Sequence, residues 1–428
     1  MNLLVNNISK SDIKRKKSLI PLFTVIFFDH TGISMIFPVL TLIFFDSQTR
    51  LFDPGVSQAT RSLFYGLCNS LPPFIGMIAV PILSILSDKL GRKKILFVCT
   101  LGTVIFSLCG ATGILIGSVV IVFISRSFNG VFARVQPIGQ AIVGDISESY
   151  EKPEKMGYLQ FMVSFSSIIG PIIGGYLAKS FFFGQLNFSL PYFVAAMMAV
   201  IAAFFALFYF RETNHTAIHQ KTTCSETFLS FINLLKNKKI LQISFILMLF
   251  QFTWGTYYQF APPLVKVLFG FSYENIGIFI AARALCLALT ALIGIKFIGK
   301  FVKKDKLIRY SNYVIVLGFI MTIMACFFHN NVYLSKLVWL GMIPITVGDI
   351  IAFCCVSALY SDVAGHHDQG KSMGICFFIV SAVWGIGSMM GGVFGAVSIS
   401  LPIIVAPIGS IIFIIYSHSK QYKNLLLN

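Results

Sequence analysis

Ser87-Asp88-Lys89-Leu90-Gly91-Arg92-Lys93-Lys94 joins two long apolar runs, and its outline returns as Asp305-Lys306-Leu307-x-Arg309, an offset of 217. The same ungapped offset carries Asp145 onto Asp362 and Met156-Gly157 onto Met373-Gly374. It also carries Gly170 onto Gly387, and Gly174-Gly175 onto Gly391-Gly392. Coincidences at one offset point to two copies of one unit. The polar stretch 211–240 between them reads as the joint. Within it Phe228, Phe231, Leu234 and Leu235 suggest a short amphipathic helix lying on a membrane surface.

Composition says what the copies are made of. Of 428 residues, 56% are hydrophobic and only 11% are charged, where a soluble domain carries about 25% charged residues. Mean hydropathy is +0.83, and phenylalanine alone supplies 44 residues. These values exclude a soluble enzyme, a disordered chain and a secreted disulfide scaffold. Runs of roughly 20 apolar residues, the length a bilayer requires, lie near 20–45, 62–86, 95–113, 116–140, 157–178 and 190–210. Six more lie near 241–265, 275–298, 310–329, 337–359, 371–395 and 399–417. The expected fold is an all-α polytopic membrane protein of twelve transmembrane helices in two pseudo-repeated six-helix bundles. Residues 1–19 form a tail, 20–210 the first bundle and 211–240 the joint. Residues 241–417 form the second bundle and 418–428 a second tail. No small-residue cleavage site follows the basic N-terminus, so no removable leader is expected.

The formal charge of +17 would suggest nucleic acid in a soluble protein. Here it reads as an orientation signal. With the N-terminus in the cytoplasm, 24 of the 33 lysines and arginines fall on the cytoplasmic side and five on the other; Arg126, Arg134, Arg283 and Lys296 lie inside spans. Both termini are therefore expected in the cytoplasm, the lipid bilayer is the partner, and nucleic acid is not. The nine cysteines lack metal-ligand spacing and read as small packing residues. His366-His367 reads as part of a polar loop between spans 10 and 11, so no metal is expected. No Gly-x4-Gly-Lys-Ser/Thr loop occurs, and neither a cofactor nor direct nucleotide driving is expected.

Three motifs sharpen this. Asp88-x-x-Gly91-Arg92 between spans 2 and 3 resembles motif A of the major facilitator superfamily, with Ser84 where that family usually has glycine. Arg126 to Gln140 in span 4 resembles its motif B, with Arg126, Gly130, Ala133 and Pro137 on one helical face. A cation buried in a bilayer costs roughly 2.5–3.5 kcal/mol by insertion scales and so faces a partner or water. Arg134 reads equally as facing substrate or as snorkelling to the cytoplasmic end. Gly157-x8-Ser166-x3-Gly170-Pro171-x2-Gly174-Gly175 in span 5 is similar to motif C of the drug/proton antiporter branch, its small residues letting helices approach closely. Asp29-His30-x-Gly-Ile with Pro38-Val-Leu in span 1, and Arg211-Glu212-Thr213 after span 6, look like the tetracycline/proton antiporters.

The resemblance implies a bacterial inner-membrane transporter, not an enzyme, working by alternating access as a monomer. It implies proton-coupled efflux of a small amphipathic compound, with uptake of a nutrient or movement of a siderophore as the alternative. It assigns gating to Asp88, Gly91 and Arg92, and helix packing to Gly157, Gly170, Pro171, Gly174 and Gly175. Proton coupling falls to Asp29, tuned by Arg126, with Asp349 as a second site. In that family spans 1, 4, 7 and 10 line a central cavity. That places His30, Asn129, Arg134, Gln136, Trp254, Tyr257 and Tyr258 around the substrate, with Arg283 of span 8 added.

Overall fold

The structure, a computed structural model, describes residues 10–147, 152–179, 181–182, 185–213, 237–294, 304–419 and 422. Eleven helices have the length and apolarity to cross a bilayer. Spans 1 to 6 are Leu19–Phe45, Gln58–Leu90, Arg92–Leu115, Val119–Ile146, Lys155–Ala178 and Leu190–Tyr209. Spans 7 to 11 are Lys238–Val267, Tyr273–Ile293, Lys306–Phe327, Leu334–Tyr360 and Gly374–Val397. The twelfth, Leu401–Ser417, is shorter and breaks at Ala406-Pro407. Outside the helices, Phe181–Phe182 pairs antiparallel with Gln185–Leu186 between spans 5 and 6. The expected surface helix at Phe228 to Leu235 lies outside the described residues.

Local chemistry sets the helix ends. Ser57 caps span 2 by accepting from the Thr60 N–H, and Ser272 caps span 8 by accepting from Asn275. Span 2 stops at Gly91, whose φ of +100° favours a residue without Cβ.

Two spans depart from expectation. Span 4 is not one helix. It ends at Phe132 and restarts at Val135. Pro137 has no N–H to offer the Ala133 carbonyl and crowds it. Ala133 instead adopts φ −71° and ψ 59°, an inverse γ-turn, with the Arg134 N–H donating to Phe132 O at 2.6 Å. The single face expected for Arg126, Gly130, Ala133 and Pro137 is therefore interrupted. Between spans 10 and 11 the backbone is helical throughout, Leu337–Val397, where a loop was expected. It cannot be straight. Tyr360 Oη meets Ser244 Oγ at 2.7 Å, yet Trp384, 24 residues later, donates to Gln251, only seven further along span 7. The side chains of His366 and His367 lie outside the described residues.

Among the described residues, the ion pairs, hydrogen bonds and ring contacts that link the two halves here lie toward one face. Odd-numbered spans run away from the face bearing the N-terminus and even-numbered ones return, so Asp46, Lys179, Lys266 and Glu274 share the far face. There Lys266 Nζ lies 2.7 Å from Asp46 and Lys179 Nζ lies 2.5 Å from Glu274. The Glu274 carboxylate holds the Lys179 ammonium above the ordinary lysine range. Tyr65 donates to Gln259 O at 2.9 Å, and Phe37 packs on Tyr258 with ring centroids 4.9 Å apart.

Glycines allow the closest approaches. A Cβ on Gly66 of span 2 would lie 2.5 Å from Gly392 Cα of span 11, and one on Gly175 of span 5 would lie 2.7 Å from Tyr273 O of span 8. Gly175 and Gly392 are repeat partners at the offset of 217, so the duplication appears as two matching cross-half contacts. The apolar core follows this layout. One cluster joins the far end of the first half to the second half, for example Leu40, Tyr65, Phe260 and Val383. A separate cluster (Leu22, Leu83, Leu96, Ile142, Leu159) serves only the terminal-face end of the first half.

Candidate functional site

The motif between spans 2 and 3 forms a charge cluster whose described contacts join residues of the first half. Arg92 lies 2.6 Å from Asp88 and 2.8 Å from Asp145, and it also donates to Ser87 Oγ at 3.1 Å. The Glu212 carboxylate accepts from the backbone N–H of Arg92 at 2.9 Å and of Lys93 at 3.1 Å. It thereby caps the N-terminus of span 3 with negative charge. Gly91 is required twice over: its φ is positive, and a Cβ would run into the Glu212 carboxylate. Glu212→Gln should cost about 1 kcal/mol by weakening this cap, measured as a lower thermal unfolding midpoint in detergent; an unchanged midpoint would remove the capping role.

The glycine motif of span 5 divides its contacts. Gly170 and Gly174 press on Thr31 and Met35 of span 1, and Pro171 and Gly175 on Gly277 of span 8. Ser166, where the motif has glycine, donates to Phe27 O at 3.1 Å, and Ser34 donates back to Ser166 O at 2.9 Å. Gly157 needs correcting as a packing residue. A Cβ there would meet nothing within 4 Å among the described residues.

Asp29 is 2% exposed, and its Oδ1 has no hydrogen-bond partner among the described residues. Thr103 of span 3 lies alongside it. His30 Nε2 is 3.1 Å from Ser167 Oγ. The expected pairing of Arg126 with this acid is not observed. Arg126 reaches Asn69 Oδ1 of span 2 at 3.5 Å and sits beside Cys68. The reason is depth. At about 1.5 Å per residue, Asp29 lies roughly 24 Å from the far end of span 1, but Arg126 lies roughly 10 Å from the far end of span 4.

Arg134 is partly buried and bound to backbone carbonyls. Its guanidinium donates to Gly130 O at 2.7 Å and to Pro72 O at 3.0 Å. The break in span 4 leaves carbonyls open, and the arginine answers them. Gln136 meets Gln160 at 3.4 Å toward the terminal face, and Asn129 is buried in span 4 beside Gly130.

In the second half the polar and aromatic groups gather more tightly. Arg283 is 1% exposed, donates to Tyr258 O at 3.0 Å, and stacks over the Tyr258 ring at 3.8 Å and the Trp254 ring at 5.8 Å. Trp384 closes on Tyr258 with centroids 5.2 Å apart, and its Nε1 donates to Gln251 Oε1 at 2.8 Å. Ser388 donates to Gln259 Oε1. Tyr257 is buried, edge-on to Phe319 of span 9 at 5.5 Å and 6.2 Å from the Trp254 ring. Asp349 is 4% exposed with Oδ1 unpartnered among the described residues, and it stands apart from the aromatic group. Sequence reading missed Trp384, Ser388, Asn69 and Phe37. A tryptophan in an otherwise apolar span was the one available signal.

Comparison with known proteins agrees with this architecture. The chain is 25% identical over 397 residues to "Multidrug resistance protein 1" of Bacillus subtilis (strain 168), covering 92% of this chain and 94% of that one. It is 24% identical over 371 residues to the class B tetracycline resistance protein of Escherichia coli, covering 85% and 84%. Among solved structures, a D-xylose–proton symporter superposes with a TM-score of 0.73 at 13% identity, covering 95% of this chain and 97% of that one. The human organic anion transporter MFSD10 gives 0.67 at 15%, covering 94% and 99%. These structures share the fold. The Major Facilitator Superfamily model matches residues 22–392, and the chain belongs to that superfamily.

Proposed function

We propose that this protein is a proton-coupled efflux transporter of small amphipathic organic compounds in a bacterial inner membrane, with both termini in the cytoplasm. The observation that carries the reading is the one-ended closure. Every hydrogen bond, ion pair and ring contact described above between the halves lies toward the far face. With the terminal face in the cytoplasm, this is the inward-facing member of an alternating-access pair. Reversal requires the Asp46–Lys266 and Lys179–Glu274 pairs and the Gly66–Gly392 contact to part.

Within that cycle Asp29 is the coupling acid. It is buried and, among the described residues, lacks a cationic partner and has one oxygen unengaged, so it can hold a proton in one state and release it where water enters in the other. Asp349 is a second acid of the same kind. Arg126 positions span 2 through Asn69. Asp88, Gly91 and Arg92 hold the inner end of the first bundle together while it rocks.

The relatives' names supply test compounds. Purified protein in proteoliposomes, with the interior made acidic, should accumulate tetracycline or a fluoroquinolone. Wild-type protein that equilibrates either compound without regard to the pH difference would overturn coupling.

A further inference from the structure

We infer that the Arg283–Tyr258–Trp254–Trp384 cluster is a binding site for aromatic compounds bearing an anionic group such as a carboxylate. The inference rests on the transport reading above and names the substrate class.

The cluster stands at the meeting of the halves: Tyr258 and Trp384 are partly exposed, and Phe37 of the opposite half lies against Tyr258. Arg283 sits at its back, stacked on Tyr258 and 1% exposed. One terminal nitrogen, Nη1, donates to Tyr258 O; the other, Nη2, has no partner among the described residues. No carboxylate among the described residues pairs with this guanidinium. Asp29 lies beside Thr103 in the other half, and Asp46 is paired to Lys266.

A buried cation with a free donor edge lacks an anion. The fork of a guanidinium fits a carboxylate or other oxyanion. The surrounding ring faces fit a planar apolar body. A cationic ligand is disfavoured, since Arg283 already occupies the ring faces that would attract it. Trp384 is held in place by its bond to Gln251, so its ring is oriented before a ligand arrives.

The test uses the full-length protein in detergent at pH 7.5, with no gradient, so it is independent of proton coupling. The chain has three tryptophans, Trp254, Trp339 and Trp384, and two of them lie in the cluster. Their fluorescence is titrated with three quenchers of similar absorption: 4-nitrobenzoate, 4-nitrobenzamide and 4-nitrobenzylammonium. The expected result is saturable quenching by the carboxylate at about tenfold lower concentration than by the amide, with the ammonium weakest. Arg283→Gln should bring carboxylate and amide to within about twofold of each other, and Arg283→Lys should restore part of the preference. Equal or tighter binding of the amide or ammonium by wild type, or no saturable quenching by the carboxylate, would overturn the site. So would an undiminished preference in Arg283→Gln. Because the wild-type comparison needs no variant, it stands even if Arg283→Gln fails to fold.

Discussion

Asp29→Asn should abolish accumulation driven by a pH difference while sparing exchange that needs no proton. One pH unit stores about 1.4 kcal/mol per proton, which sustains a solute ratio of about ten in one-for-one exchange of a neutral compound. Wild-type proteoliposomes should approach that ratio, and the variant should remain near one. Asparagine keeps the size of the side chain and its alignment beside Thr103 but cannot gain and lose a proton. Exchange of labelled for unlabelled compound at equal pH should persist within about threefold, showing that the variant folds and cycles. A variant that still accumulates like wild type would transfer the coupling role elsewhere, with Asp349→Asn the next measurement.

Gly66→Val should trap the far face partly open. A Cβ at Gly66 would lie 2.5 Å from Gly392 Cα and 2.6 Å from Ser388 O, both backbone atoms that cannot rotate aside. Overpacking of this kind costs about 1–3 kcal/mol, and here the cost falls only on the state in which spans 2 and 11 touch. The balance of the two states should shift by about 5- to 150-fold toward the far-face-open one. Spin labels at Gly55 and Val397, both exposed near that face, would report it as a longer-distance population in pulsed electron resonance. An unchanged distance distribution would mean that the two helices do not separate in the cycle.

Much of this was legible in the sequence, and the parts that were not have common physical causes. Apolar run length gives spans directly, because a bilayer fixes the length of helix that crosses it. The offset of 217 anticipated that Gly175 and Gly392 would occupy equivalent places, and they do. Side-chain partnerships across spans are another matter. Arg126 and Asp29 share a half and a chemistry, but not a depth, and only the vertical stagger of the helices reveals that. The Arg134 contacts follow from a helix break that Pro137 imposes four residues upstream. The aromatic cluster around Arg283 draws on four spans from both halves, so no local pattern encodes it. Gly157 carries a motif position where an added Cβ would meet nothing within 4 Å among the described residues, which spacing alone does not reveal.

The central claim is that compound and proton move in opposite directions through one protein. It is tested most directly by a pH-sensitive dye sealed inside proteoliposomes that start at equal pH, with the test compound added outside. Inward movement of compound should drive protons out, raising the internal pH, and Asp29→Asn should remove the signal. Internal acidification, or compound entry with no pH change in wild type, would contradict it.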